Sequence, residues 1–338
     1  MVLPRAPPGP AVQPVLIFAV VRICLFGAGA VGGLLGTRLA LAGHETSAVA
    51  RGATLAALRE HGWRLASGER APVKASDRPD ELGAQDLVVL AVKAPALPEV
   101  AARIGPLLTE ETIVVPAMNG VPWWFMGDVP LRSVDPDGTV AAAVPRRHVL
   151  GCVVHIASTA TEPGLVRHTA GNGLILGEPD GGTSERARRI VGVFAGAGFE
   201  ARLSTDVRTD VWYKLWGNMT MNPISALTGA TADRILDDPL VNRFCLAVMA
   251  EAAEIGARIG CPITESGADR MRVTRRLGAF KTSMLQDTEA GRPIELDALV
   301  GVVREIGERV AVPTPALDTL LGLTRLSARV RGLYPQAD

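Results

Sequence analysis

Val21-Arg22-Ile23-Cys24-Leu25-Phe26-Gly27-Ala28-Gly29-Ala30-Val31-Gly32 is the stretch on which the reading of this chain turns. Residues 21–26 are an apolar run of the kind expected for a strand buried on both faces of a parallel sheet. The glycines that follow keep the spacing G-x-G-x-x-G. Beyond them, residues 31–42 read as a helix, with Gly43 just past its end. In a strand–turn–helix setting each glycine has its own role. Gly27 permits the tight turn, Gly29 lets a pyrophosphate approach the backbone, and Gly32 lets helix and strand pack closely. The helix N-terminus adds free N–H groups for the phosphates. Gly27, Ala28, Gly29, Ala30, Val31 and Gly32 are therefore the expected dinucleotide-binding turn.

Outward from this turn the pattern alternates. Residues 46–50 are strand-like and 55–61 helical; 86–92 and 112–116 are further buried-strand candidates, with a crossover over 97–108. Strands alternating with helices predict a parallel, doubly wound sheet. Residues 149–157, 165–168 and 174–176 read as strands lying near one another without long helices between them. From Asp206 onward the chain reads as helical, with Pro239, Pro262, Pro293 and Pro313 near helix starts. The expected fold class is an α/β Rossmann-type N-terminal domain (21–205) followed by an all-α C-terminal domain (206–332). Residues 1–20, Pro-rich and then apolar, read as a dispensable, disordered extension. A signal peptide would be cleaved into the first strand. A membrane span would be interrupted by Arg22 and the glycine cluster.

Charge and cysteine usage narrow the function. Lys+Arg and Asp+Glu are both 35, so the net charge is zero, and nucleic acid is not an expected partner. Cys24, Cys152, Cys245 and Cys261 lie far apart, without a CxxC pair, and the five histidines show no ligand spacing; buried thiols in a reducing cytoplasm and no metal are expected. The second strand ends Ala48-Val49-Ala50-Arg51-Gly52, with Arg51 where an NAD-selective acid would stand. A guanidinium there suits a 2′-phosphate, which favours NADP(H); the plainer reading is a solvated surface arginine.

The second signal is Lys214-Leu215-Trp216-Gly217-Asn218-Met219-Thr220-Met221-Asn222-Pro223. Lys214, Asn218 and Asn222 fall on one face of a helix whose other residues are apolar. Asparagine is disfavoured in mid-helix, and a buried lysine is costly without a partner. The stripe therefore reads as a site rather than a solvated face. Pro223 is expected to kink the helix just after Asn222.

Together these motifs resemble the ketopantoate reductases (2-dehydropantoate 2-reductases) over roughly residues 21–325. The anchors are RICLFGAGAVGGLLGTRLALAGHE, VARG, AVKA with Lys93, MNG with Asn119, KLxxNxxxNP with Lys214, Asn218 and Asn222, and SMLQDTEAGRPIELDALVG with Ser283 and Glu295. The resemblance implies a Rossmann domain joined to a helical domain like the C-terminal one of 6-phosphogluconate dehydrogenase, with the active site between them. It implies NADPH-dependent reduction of ketopantoate to (R)-pantoate, in the pathway to pantothenate. Lys214 would be the general acid; Asn218, Asn222 and Ser283 would bind substrate; Asn119 would lie near both cofactor and substrate; Lys93 and Glu295 would contact the cofactor or orient Lys214. Burial would lower the Lys214 pKa and Glu295 would oppose that, leaving the net direction open.

Two features depart from the family pattern: Ala232 replaces a further asparagine, and the Trp123-Trp124 pair follows Asn119. The indoles either pack the domain interface or line the cleft, in which case the substrate would be another 2-oxo acid. A β-hydroxyacid or opine-type dehydrogenase is the alternative enzyme, and an NADP-binding regulator without turnover the alternative outside enzymes. The expected partner is a small 2-oxo acid, with no membrane association and a monomeric or homodimeric state.

Overall fold

The computed structural model describes residues 20–336; the extension read over 1–20 lies outside them except for Val20. Ten strands are formed among these residues: β1 (Arg22–Phe26), β2 (Glu45–Val49), β3 (Trp63–Leu65), β4 (Arg70–Ala71), β5 (Lys74–Ser76), β6 (Leu87–Leu90), β7 (Ile113–Pro116), β8 (Gly151–Glu162), β9 (Leu165–Gly177) and β10 (Glu200–Ser204). The helices of this half are α1 (Ala30–Leu41), α2 (Gly52–His61), α3 (Leu97–Arg103), α4 (Thr139–Ala143) and α5 (Glu185–Gly196). The second half carries α6 (Val207–Thr228), α7 (Ala232–Asp237), α8 (Pro239–Arg258), α9 (Gly267–Arg275), α10 (Ser283–Glu289), α11 (Val302–Arg309) and α12 (Pro315–Val330). Among the described residues no helix is long and apolar enough to cross a membrane.

The first sheet is parallel, in the order β5-β2-β1-β6-β7. Its strand order reverses between β1 and β6, so the crevice for a ligand opens at the carboxyl ends of those two strands. The buried runs of β1, β6 and β7 need no alternation because both faces of the sheet are covered.

The strands expected within 149–176 are instead one long antiparallel hairpin, β8–β9, belonging to a second sheet of order β10-β9-β3-β4. Its members β3 and β4 are not legible in the sequence: two or three residues are too few to show a period. α1 is clamped between the sheets by Trp63, whose ring fills the space a Gly36 side chain would take, 2.4 Å from a built Cβ, while its Nε1 donates to Thr46 Oγ1 at 2.9 Å.

The helix bearing the lysine–asparagine stripe is the central helix of the second half. α6 packs on β8, α8, α10 and α12. Trp212 and Trp216 anchor it to α8, their Nε1 atoms donating to Ala252 O at 3.2 Å and Met249 O at 2.7 Å. Helical structure continues through Pro223, the position at which the sequence predicts a kink. Residues 219–226 are all buried, so packing on every side holds the segment helical despite the missing N–H.

The glycine turn after β1 has the geometry its spacing foretells. Gly27 has φ +101°, and a Cβ there would lie 2.8 Å from Ala91 O. A Cβ on Gly32 would lie 2.0 Å from Gly27 O, whereas nothing stands within 4 Å of one on Gly29. The start of α1 has no side-chain cap and no acid in its first turn, leaving its N–H groups for an anion. Gly32→Ala should weaken NADPH binding at least about tenfold, read by isothermal titration, because the colliding atoms are backbone. An unchanged Kd would show that the turn does not carry the dinucleotide.

Candidate functional site

The crevice beyond β1 and β6 is a cleft of about 540 Å³. Gly27, Ala28 and Gly29 form its floor. Four cations border it, Arg51, Lys93, Arg103 and Arg292, against a single acid, Glu99. Arg51 stands at the start of α2 and reaches Glu99 at 2.8 Å; both side chains are largely exposed. Arg103 bonds the same carboxylate at 3.0 Å. One carboxylate shared between two arginines leaves the rim cationic, and exposed pairs of this kind hold only about 0–1 kcal/mol. The donor set and the open backbone at Gly29 thus fit a dinucleotide with anionic phosphates.

Between the two halves three elements converge on Lys214. The α6 stripe supplies the lysine, the turn after β7 supplies Asn119, and β8 supplies a backbone carbonyl. Lys214 Nζ donates to Asn119 Oδ1 at 2.7 Å and to Val154 O at 2.5 Å. The ladder between β8 and β9 slips register between His155 and Ala157, directly after that carbonyl, as bulges beside sites often do. Burial, opposed by Cys152 and Glu295, pulls the Lys214 pKa from 10.5 down to about 8, which resolves the direction left open by the sequence.

Gly120 makes the turn after β7 fit the helical half. It has φ +87°, a Cβ there would lie 2.3 Å from Ala298 O, and Val121 N donates to that oxygen at 2.9 Å. Glu295 is half-buried and accepts from Ala94 N at 2.9 Å; desolvation raises its pKa above the usual carboxylate range. Lys93 pairs with Asp287, a buried carboxylate that also accepts from Arg292 Nε at 3.0 Å.

Of the residues singled out in the sequence, Lys214, Asn119, Lys93 and Glu295 meet around the junction of the two halves. Asn218 is half-buried and Asn222 buried on the same face of α6. Their amides make no hydrogen bond to another described side chain or carbonyl, and so remain available. Ser283 is exposed at the first turn of α10, which packs on α6. Trp123 and Trp124 are interior: they are 4% and 2% exposed, and Trp123 Nε1 donates to Val144 O at 3.3 Å.

Several partners leave no local signal in the sequence. Val154 contributes through its backbone, which no side-chain pattern announces. Asp287 stands within the quoted SMLQDTEAGRPIELDALVG block, but its pairing with Lys93 joins segments far apart in the chain. Glu99 is the acid opposite Arg51, visible only once α3 is placed beside β2.

Comparison with known proteins bears on this arrangement. Family models described as ketopantoate reductase PanE/ApbA and its C-terminal part match residues 23–181 and 206–328. A 2-dehydropantoate 2-reductase of Mesorhizobium japonicum is 44% identical, over 93% of this chain and 99% of that protein. A crystal structure assigned to the ketopantoate reductases, from Ralstonia solanacearum MolK2, is 59% identical with a TM-score of 0.90, covering 94% of this chain and 100% of that one. D-mandelate dehydrogenase solved with NADH and anilino(oxo)acetate shares the fold, with a TM-score of 0.80 at 19% identity over 92% of this chain and 99% of that one. The chain belongs to the ketopantoate reductase family of oxidoreductases.

Proposed function

We propose that this protein reduces ketopantoate to (R)-pantoate with NADPH, using Lys214 as the proton donor to the ketone oxygen. The observation that carries this reading is the state of the Lys214 ammonium. An ammonium has three N–H donors. Two are committed to Asn119 Oδ1 and Val154 O, which leaves one to aim at a substrate oxygen.

When bound, the reduced nicotinamide supplies a hydride to the carbonyl carbon. Negative charge then grows on the carbonyl oxygen. Lys214 stabilises that charge and neutralises it by giving up its proton. With a pKa of about 8, roughly nine in ten Lys214 side chains are protonated at neutral pH, yet the proton is released far more readily than from an ordinary lysine. Asn119 and the Val154 carbonyl hold the ammonium in place. Glu295 adds nearby negative potential that favours the charged form. Asn218, Asn222 and Ser283 face the substrate from α6 and α10, and Lys93 is positioned by Asp287 at the cofactor side.

Arg51 supports the cofactor choice. Its bond to Glu99 is exposed and weak, so a 2′-phosphate dianion can displace the carboxylate and take a charge-assisted contact. Four buried, unpaired cysteines and a soluble cofactor fit a cytoplasmic enzyme acting on a small molecule.

Arg51→Ala should cost NADPH about 1.5–3 kcal/mol of binding while leaving NADH affinity nearly unchanged, read by titration with each cofactor. Equal losses for both would remove Arg51 from the 2′-phosphate site. Lys214→Ala should lower kcat for ketopantoate at least about a hundredfold with NADPH affinity and the melting curve close to wild type. A well-folded variant with near wild-type kcat would place the proton donor elsewhere.

A further inference from the structure

Beside the lysine helix stands a cation with no acid to answer it. Arg270, on α9, lays its guanidinium against α6 at Gly217. A Cβ built on Gly217 would lie 2.6 Å from Nη2 and 2.9 Å from Cζ of Arg270, so only glycine leaves the space. The guanidinium also lies over the Tyr213 ring, with Cζ 5.6 Å from the ring centroid, and Nη1 donates to Thr274 Oγ1 at 3.2 Å. Its Nε is buried with no hydrogen-bond partner among the described residues. Arg270 forms no ion pair among them either. Glu265, on the loop before α9, is engaged by the Tyr213 hydroxyl instead.

This cation lies against the helix that carries Lys214 and Asn218. Gly217 is adjacent to Asn218 and follows Lys214 by three residues, a spacing that puts Cβ positions about 5–6 Å apart on a helix. His155, next to the carbonyl that holds Lys214, feels both charges: burial first, then Lys214 and Arg270, lower its pKa.

A 2-oxo acid presents its carboxylate on the carbon bonded to the ketone. With the ketone oxygen at Lys214, the carboxylate must lie within a few ångströms of it. Lys214 has one N–H left, and the amides of Asn218 and Asn222 are neutral. A guanidinium can meet a carboxylate with two parallel N–H bonds. We propose that Arg270 binds the substrate carboxylate and so determines selectivity for 2-oxo acids over uncharged ketones, with Gly217 kept bare to admit its guanidinium. This assignment rests on the proposed reduction of a 2-oxo acid.

The test compares ketopantoate with its lactone, which keeps the ketone but lacks the free carboxylate, as substrates for the full-length enzyme, R270Q, R270K and G217A. Arg270→Gln should raise KM for the acid at least about tenfold while changing KM for the lactone and for NADPH less than about twofold. R270K should recover part of the loss, since it restores the charge without the fork. G217A, whose added methyl favours the helix but displaces the guanidinium, should reproduce the selective rise. Equal effects of R270Q on acid and lactone, or no effect on the acid, would overturn the assignment while leaving the reductase reading intact. A wild-type enzyme inert toward ketopantoate and other 2-oxo acids would overturn both.

Discussion

The interaction on which the site depends is the pairing of one half-buried ammonium on a largely buried helix. α6 is the spine of the helical half, fixed by Trp212 and Trp216 against α8 and by contact with β8. Lys214 is half-buried there, so much of its charge is met by local partners. It is met by Asn119 and Val154, both from the α/β half. The requirement that satisfies the lysine therefore also joins the two halves.

The choice of lysine is informative in this chain. Only four of its 35 basic residues are lysines, and two of them, Lys93 and Lys214, stand at the site. Apart from Lys74 and Lys281 its other basic residues are arginine, which binds anions well but keeps its proton at any physiological pH. On our proposal, arginines perform that binding around the cofactor and at the substrate carboxylate. At the ketone, where a proton has to leave, the cation is one whose pKa burial can shift.

Much of this is legible in the sequence because it is local. The turn from Gly27 to Gly32 announces itself through spacing, and its fit follows from backbone collisions that any side chain would cause. Lys214, Asn218 and Asn222 share a face by helical period alone. Non-local features are opaque. The second sheet depends on two very short strands, β3 and β4, and on a hairpin whose register slips. Helical structure persists through Pro223 because the segment is packed on every side, and the indoles of Trp123 and Trp124 go to the interior. The pairing of Lys93 with Asp287 and of Arg51 with Glu99 arises only when distant segments meet.

The central claim is that enclosure has tuned Lys214 into a proton donor, and its pKa tests this most directly. With lysine labelled at Cε by carbon-13, the chain offers four signals, from Lys74, Lys93, Lys214 and Lys281, and the Lys214→Ala spectrum identifies the one of interest. The account predicts that this signal titrates with a midpoint of about 8. A midpoint near the ordinary lysine value of about 10.4 would contradict it.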